Sequence, residues 1–157
     1  MNTAVCPCRI SHSPPDSPRS DNTASAPPSY AQCCQPWHTG IATGLHASSP
    51  EQLMRARYSA YALATTNNPQ GQLLLAYLHA TWHVSSAPGE LELSPTQWVS
   101  LDVLHTEQSE LAGVVEFIAR YKDAGQAHAM HEVSRFICLH EAGAPRWWYI
   151  DGQVSES

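Results

Sequence analysis

Lysine is nearly absent from this chain. Of eight basic residues in 157, only Lys122 is a lysine, and fourteen acids leave a formal charge of −6 at pH 7. A nucleic-acid groove needs a stripe of positive charge, and none exists, so no nucleic-acid partner is expected. The cations that remain are arginines, which suit fixed, hydrogen-bonded positions more than a diffuse cationic surface. No run of eighteen apolar residues occurs, so no helical membrane span is expected. The opening MNTAVCPCRISHSPP lacks a basic start and an apolar segment, so it does not read as a signal peptide. The hydrophobic stretch that would precede a lipoprotein cysteine at Cys6 is missing too. These absences point to the cytoplasm, where thiols stay reduced. Internal repeats are absent as well.

Apolar residues make up 43% of the chain, enough to build one core in a domain of ordinary size with appendages. The most strongly patterned stretch runs from Leu111 to Gly152. It holds three extended segments, parted by the turn signals Asp123-Ala124-Gly125 and Glu141-Ala142-Gly143-Ala144-Pro145. In the first segment Ala112, Val114, Glu116, Ile118 and Arg120 alternate with Gly113, Val115, Phe117, Ala119 and Tyr121. That period of two marks a strand with unlike faces. A carboxylate and a guanidinium on one aliphatic face suit a pocket wall better than a core. The expectation is a curved antiparallel sheet whose concave inner face carries Glu116 and Arg120, preceded by a further strand over Gln97–Thr106.

Upstream, Ser49-Pro50-Glu51-Gln52 spells a helix start, with Ser49 as N-cap, Pro50 at the first helical position and Gln52 closing a capping box. Leu53, Ala56, Ala60 and Leu63 then form an apolar stripe until Asn67-Asn68-Pro69 ends the helix. A second helix, from about Gln70 to Ala80, delivers Trp82 and His83 at its end. Two helices followed by a run of antiparallel strands read as α+β.

The N-terminal part carries Cys6-Pro7-Cys8, then residues 9–32 with six Ser and five Pro, then Cys33-Cys34. The Ser/Pro stretch is expected to be a disordered insertion, and residues 35–48 a linker. Residues 1–48 thus read as a split cysteine module and residues 49–157 as the α+β domain. Two close cysteine pairs in a reducing compartment favour a metal over disulfides, and four thiolates suit a closed tetrahedral zinc site. Stretching the loop between the pairs from about 9 to 24 residues costs only roughly 0.9 kcal/mol of closure entropy. A structural zinc is worth roughly 10–16 kcal/mol in peptides, so the gap does not forbid the site. His12 or His38 fits as a substitute for one thiolate. The competing reading leaves both pairs unliganded. Cys138, beside Phe136 in an expected strand, reads as a small buried hydrophobe.

Together these motifs resemble the YchJ family of uncharacterised bacterial proteins. The residues that carry the resemblance are Leu53-Met54-Arg55-Ala56-Arg57-Tyr58-Ser59-Ala60-Tyr61, Thr81-Trp82-His83 and Val115-Glu116-Phe117-Ile118-Ala119-Arg120-Tyr121. His131-Glu132-Val133-Ser134-Arg135-Phe136 and Trp147-Trp148-Tyr149-Ile150-Asp151-Gly152 complete the set. The resemblance implies a domain like nuclear transport factor two, with helices packed on a strongly curved antiparallel sheet that forms a conical cavity. It also implies that Cys6, Cys8, Cys33 and Cys34 match the short zinc module found at the C-terminus of the preprotein translocase motor SecA, which contacts the chaperone SecB. Three departures stand out. The insertion removes the glycine- and lysine-bearing middle of that module, no second cysteine module follows Asp151-Gly152, and Val84 stands where the family tends to have proline. The first two weaken a SecB-type contact, because basic residues that would meet an acidic chaperone are missing.

On this reading the pocket candidates are Arg57, Tyr58, Tyr61, Trp82, His83, Glu116, Arg120, His131, Glu132, Arg135, Trp148 and Asp151. Of these, His83, Glu116 and His131 are the acid/base candidates. Glu116 and Arg120 lie about 13 Å apart along a strand and need partners elsewhere, for which Glu116 with Arg135, or Arg135 with Asp151, fit. The plainer alternative is an ion-pair network that fixes strand register, with Trp82 and Trp148 as core. The function that follows is a zinc-containing binding or adaptor protein. It would dock a protein partner through the cysteine module and a small ligand in the cavity, as a monomer or a homodimer. The alternative is a small-molecule enzyme of the dehydratase, isomerase or hydrolase type, a reading that leans on fold analogy.

Overall fold

The structure is a computed structural model that describes residues 4–12, 27–64, 69–89, 91, 96–141 and 143–156. Helices α1 (Gln35–Gly40), α2 (Pro50–Leu63) and α3 (Pro69–Ala80) precede strands β1 (Gln97–Gln108), β2 (Ala112–Asp123), β3 (Gln126–Glu141) and β4 (Ala144–Glu156). The strands form one antiparallel sheet in the order β1-β2-β3-β4. The architecture is the expected α+β one.

Local signals set the boundaries. Asp123 pairs with Gln126, and the two residues between them, Ala124 and Gly125, have φ of 52° and 81°, the left-handed geometry of a tight hairpin turn. At the start of α2 the Ser49 hydroxyl accepts from the Gln52 amide at 3.1 Å, as an N-cap should. The capping box differs from expectation by one residue. Gln52 Oε1 accepts from the Ser48 amide at 2.7 Å and the Ser48 hydroxyl at 2.8 Å.

The inner face of the sheet is not the charged one. On β2, Val115, Phe117 and Ala119 are buried while Glu116, Ile118 and Arg120 are half-exposed. A period of two identifies two faces but not which of them the helices cover, and here the helices cover the wholly apolar one. The stripe Leu53, Ala56 and Ala60 of α2 meets that face together with Leu74 and Leu78 of α3 and Phe136 of β3, all buried. α2 approaches β2 closely: a Cβ on Gly113 would sit 2.3 Å from Pro50 Cγ.

The N-terminal part is more ordered than its composition suggests. Residues 13–26 lie outside the described residues, but both flanks are built into the fold. The Leu101 amide on β1 donates to Ile10 O at 2.8 Å, and the Cys6 amide to Pro28 O at 3.0 Å. The expected linker contains α1. His38 of α1 is 1% exposed, with Tyr30 Oη 2.7 Å from Nδ1 and Ala56 O 2.7 Å from Nε2. A carbonyl can only accept, so Nε2 carries the proton and Nδ1 accepts from Tyr30. His38 thus clamps the cysteine segment to α2, and burial holds its pKa below the ordinary value.

Candidate metal centre and aromatic cavity

Cys6 and Cys8 flank and enter a short 3-10 turn at Pro7–Arg9, and Cys33 and Cys34 link a second turn, Tyr30–Gln32, to α1. The fold therefore brings the two pairs together across the insertion. Their four sulfurs lie within 4.8 Å of one another. Four of the separations are 3.7 Å (Cys6–Cys8), 3.6 Å (Cys8–Cys33), 3.5 Å (Cys8–Cys34) and 3.9 Å (Cys33–Cys34). A tetrahedron with metal–sulfur distances of about 2.3 Å has edges of about 3.8 Å. The spacing fits a metal ion and is far too long for disulfides. The thiols also press on one another. Hydrogen bonds from Cys34 and then Cys8 hold the Cys6 thiol far below its ordinary pKa, and Cys34 is pushed up in return. Four sulfurs at these separations could hold a metal ion.

The cluster rests on α2. Cys6 Sγ lies 3.4 Å from the Ser59 hydroxyl, Cys34 Sγ 3.6 Å from Arg55 O, and Arg55 Nη1 donates to Cys8 O at 2.6 Å. His38 is spent on its clamp and His12 is outside the cluster, so neither replaces a thiolate. Cys138 is buried in β3, away from the cluster.

Between α2 and the inner face of the sheet lies a cavity of ≈ 300 Å³, at the small end of ligand pockets. Its walls are Tyr58, Tyr61, Trp82, Trp98, Phe117, Phe136 and Tyr149, with Met54 and Met130 filling between them. Three polar side chains enter it: Arg57, Glu132 and Ser134.

Arg57 is 5% exposed. Its Nη1 donates to Leu78 O and to the Thr81 hydroxyl, both at 2.7 Å, which caps the C-terminal end of α3. Its guanidinium lies 4.4 Å from the centre of the Tyr149 ring and 5.1 Å from that of Trp82. Among the described residues no carboxylate comes within 4.0 Å of Arg57, whereas Arg55, Arg120, Arg135 and Arg146 each have one. Burial lowers its pKa.

Glu132 stands opposite Phe117, on the inner face of β3. Its carboxylate accepts from Ser134 and meets the Tyr149 hydroxyl. Burial raises its pKa, and the Ser134 bond only partly offsets that. Gly152 makes room for it, since a Cβ there would come within 2.5 Å of Glu132 Oε2. Trp82 is placed by a bridge to Tyr149 and by its indole N–H, which donates at 3.2 Å to Ile150 O. Ile150 is the extra residue of a bulge in β4, so the bulge frees the carbonyl that anchors Trp82.

The sequence-expected pocket residues divide in two. Arg57, Tyr58, Tyr61, Trp82 and Glu132 line the cavity together. Glu116, Arg120, His131, Arg135 and Asp151 belong to the opposite face of the sheet. There Glu116 bonds His131 at 2.7 Å, Arg120 bonds Asp102 at 2.9 Å, and Arg135 grips Asp151 through Nε at 2.7 Å and Nη2 at 2.5 Å. The Glu116–Arg135 pair does not form, but the Arg135–Asp151 pair does. His83 turns away from the cavity. Its Nδ1 lies 2.7 Å from the Ser85 hydroxyl and its ring meets Trp148 edge-on. Trp148 packs under Arg146, 3.8 Å from guanidinium carbon to ring centre.

The lining residues that sequence reasoning missed are Met54, Trp98, Phe117, Met130, Ser134, Phe136 and Tyr149. On β3 the signal existed, because Met130, Ser134 and Phe136 share the period of two with Glu132.

Comparison with known proteins places the fold in a family. Residues 49–152 match the family described as YchJ, middle NTF2-like domain. A UPF0225 protein of Ralstonia nicotianae is 40% identical, covering 98% of this chain and 93% of its own. One from Cupriavidus metallidurans is 41% identical over 81% of this chain and 84% of its own. Among solved structures, a SEC-C motif containing protein from Psychrobacter arcticus aligns with a TM-score of 0.69 at 28% identity, over 98% of this chain and 84% of that one. A second, from Rhodopseudomonas palustris, gives 0.52 at 29%, over 82% and 94%. No described helix is long and apolar enough to cross a membrane. With its cysteine cluster beside an α+β domain of this kind, the chain belongs to the YchJ family of UPF0225 proteins.

Proposed function

We propose that the chain is a zinc-stapled binding protein whose cavity holds a small organic ligand. The observation that carries this reading is Arg57, a buried guanidinium at the wall of an aromatic cavity. Among the described residues no carboxylate lies within 4.0 Å of it, and the only one acting on it from the same cavity is Glu132, whose charged form burial disfavours. A protein that needed only a core would not keep a buried charge without a salt-bridge partner at the wall of a hollow. In this reading zinc takes the four thiolates and fixes residues 4–12 and 27–40 against α2. The same module offers a protein partner the surface around Arg9, Trp37 and Arg55.

Native mass spectrometry of the purified full chain tests the proposal. Zinc and one small organic adduct per chain, the latter released on denaturation, would support it. A bare polypeptide that also takes up no small molecule from an added panel would overturn it. A second reading, an enzyme of the dehydratase, isomerase or hydrolase type, is favoured by one observation: the cavity contains an acid, Glu132, with its pKa raised. That reading expects the released compound to be chemically altered on incubation with the protein.

A further inference from the structure

We infer that the cavity selects an organic anion, a carboxylate carried on an aromatic or other apolar body, whose oxygens lie between Arg57, Tyr61 and the Glu132–Tyr149 pair. The inference rests on the reading of the cavity as a ligand site and adds the charge and chemistry of the occupant.

Charge is the first argument. Arg57 is held by a carbonyl, the Thr81 and Tyr61 hydroxyls and two ring faces, and the one acid that acts on it from the cavity wall, Glu132, makes no salt bridge to it. An anion that enters the hollow supplies a close ion-pair partner, and in low dielectric that pairing is worth more than at the surface. A cationic ligand would meet Arg57 as a like charge, and the ring faces that would greet it at Trp82 and Tyr149 are already taken by the guanidinium.

Glu132 is the second argument, because it is the feature that speaks against an anion. Its surroundings set the direction of its titration. From α2 it faces Arg57 and Tyr61, from β4 Tyr149, from β2 the apolar Phe117, and on its own strand Ser134. Asp151 of β4 lies on the opposite face of the sheet and acts on Tyr149. α3 contributes Tyr77, whose influence falls on Arg57. Glu132 is the one carboxylate that lines the cavity among the described residues. Burial favours its protonated form. A protonated Glu132 is a donor, and with Arg57 and Tyr61 it lines that end of the cavity with donors, while the Tyr149 hydroxyl is engaged with Glu132 itself. Donors alone, around a fixed cation, suit carboxylate oxygens.

Size and lining complete the case. About 300 Å³ walled by aromatic side chains accommodates one small planar body and little more.

Binding should then be linked to the proton on Glu132. An ionised Glu132 repels the incoming carboxylate, so affinity falls as pH rises through the titration of Glu132, by up to about tenfold per pH unit for one linked proton. Glu132→Gln keeps the shape of the protonated acid and removes the titration.

Calorimetric titration of the zinc-loaded full chain with benzoate, phenylacetate and indole-3-acetate, beside the matching amides and amines, at several pH values, tests this. The expected result is a carboxylate bound at least tenfold tighter than its amide or amine, with affinity that declines as pH rises. In Glu132→Gln the binding should persist and the decline vanish. Arg57→Met should abolish the preference, and Arg57→Lys, which restores a cation, should return part of it. Amides or amines bound as well as carboxylates, or Glu132→Gln that cannot bind, would overturn the inference while leaving the cavity a ligand site. Failure of every compound of every charge to bind would remove that site and the inference with it.

Discussion

Arg57 on the first long helix lies over the ring of Tyr149 on the last strand, 4.4 Å from its centre. That contact ties α2 to β4 across the cavity and brings a fixed positive charge to the hollow. Tyr149 also meets Glu132, so cation, ring and acid form one connected group rather than three separate features.

Glu132 makes stability depend on pH in a defined direction. Its folded pKa lies above the ordinary glutamate value because burial penalises the carboxylate. A raised pKa means that the native state holds the proton more tightly than the unfolded chain. The contribution is therefore complete below the unfolded value and is lost as pH rises through the folded one. Relative to wild type, Glu132→Gln should be increasingly more stable as pH is raised from 5 to 8, measured by urea unfolding at each pH. An equal difference at both ends would contradict the assignment.

The cysteine cluster predicts a large effect from few atoms. In the Cys33→Ser, Cys34→Ser double variant bound zinc should be lost and stability should fall by at least about 3 kcal/mol, since site and fold form together. A chelator added to wild type should lower its melting temperature to that of the variant. Plasma emission analysis of metal content beside thermal melts checks both. Unchanged melting after complete zinc removal would show that the module contributes nothing to the fold.

On the outer face the prediction is the reverse. Arg135 and Asp151 form a bidentate pair, yet their side chains are 65% and 47% exposed. Water and salt screen such a pair, and truncation orphans no buried charge. Arg135→Ala should therefore leave the urea midpoint within experimental error of wild type. A large loss of stability would mean that this face is covered in solution.

Gly113 is constrained by packing rather than by backbone conformation. Its Cβ position is 2.3 Å from Pro50 Cγ, and neither the strand nor the proline ring yields easily. Gly113→Ala should cost about 1–3 kcal/mol by pushing the start of α2 off β2. Thermal melts decide it, and a neutral result would mean that α2 has slack there.

Much of the architecture is legible in the sequence because its determinants are local. Ser49 and Pro50 announce α2, Ala124-Gly125 announces the hairpin between β2 and β3, and the alternation along β2 announces a strand. The four cysteines are legible as a set by their chemistry, although only the fold shows that the sulfurs converge. What is not legible depends on distant partners. Glu116 and Arg120 look like pocket residues until cross-strand neighbours, His131 and Asp102, claim them on the other face. His38 sits in a stretch of linker composition, and its role comes from Tyr30 and Ala56. On β4 the bulge at Ile150 resets the alternation, so Tyr149 and Gly152 both face inward, three positions apart. No residue type at Ile150 announces that shift.

The most direct test of the account is a native mass spectrum of the zinc-loaded full chain with benzoate, phenylacetate and indole-3-acetate added, set beside that of Arg57→Met. Arg57→Met also removes the bonds to Leu78 O and Thr81. Its spectrum is therefore read only where its melting curve and zinc content show a folded, metal-loaded chain, with Arg57→Lys beside it as the charge-keeping variant. The account predicts one organic adduct per wild-type chain and none on Arg57→Met. Equal adducts on both proteins, or none on either, would contradict it.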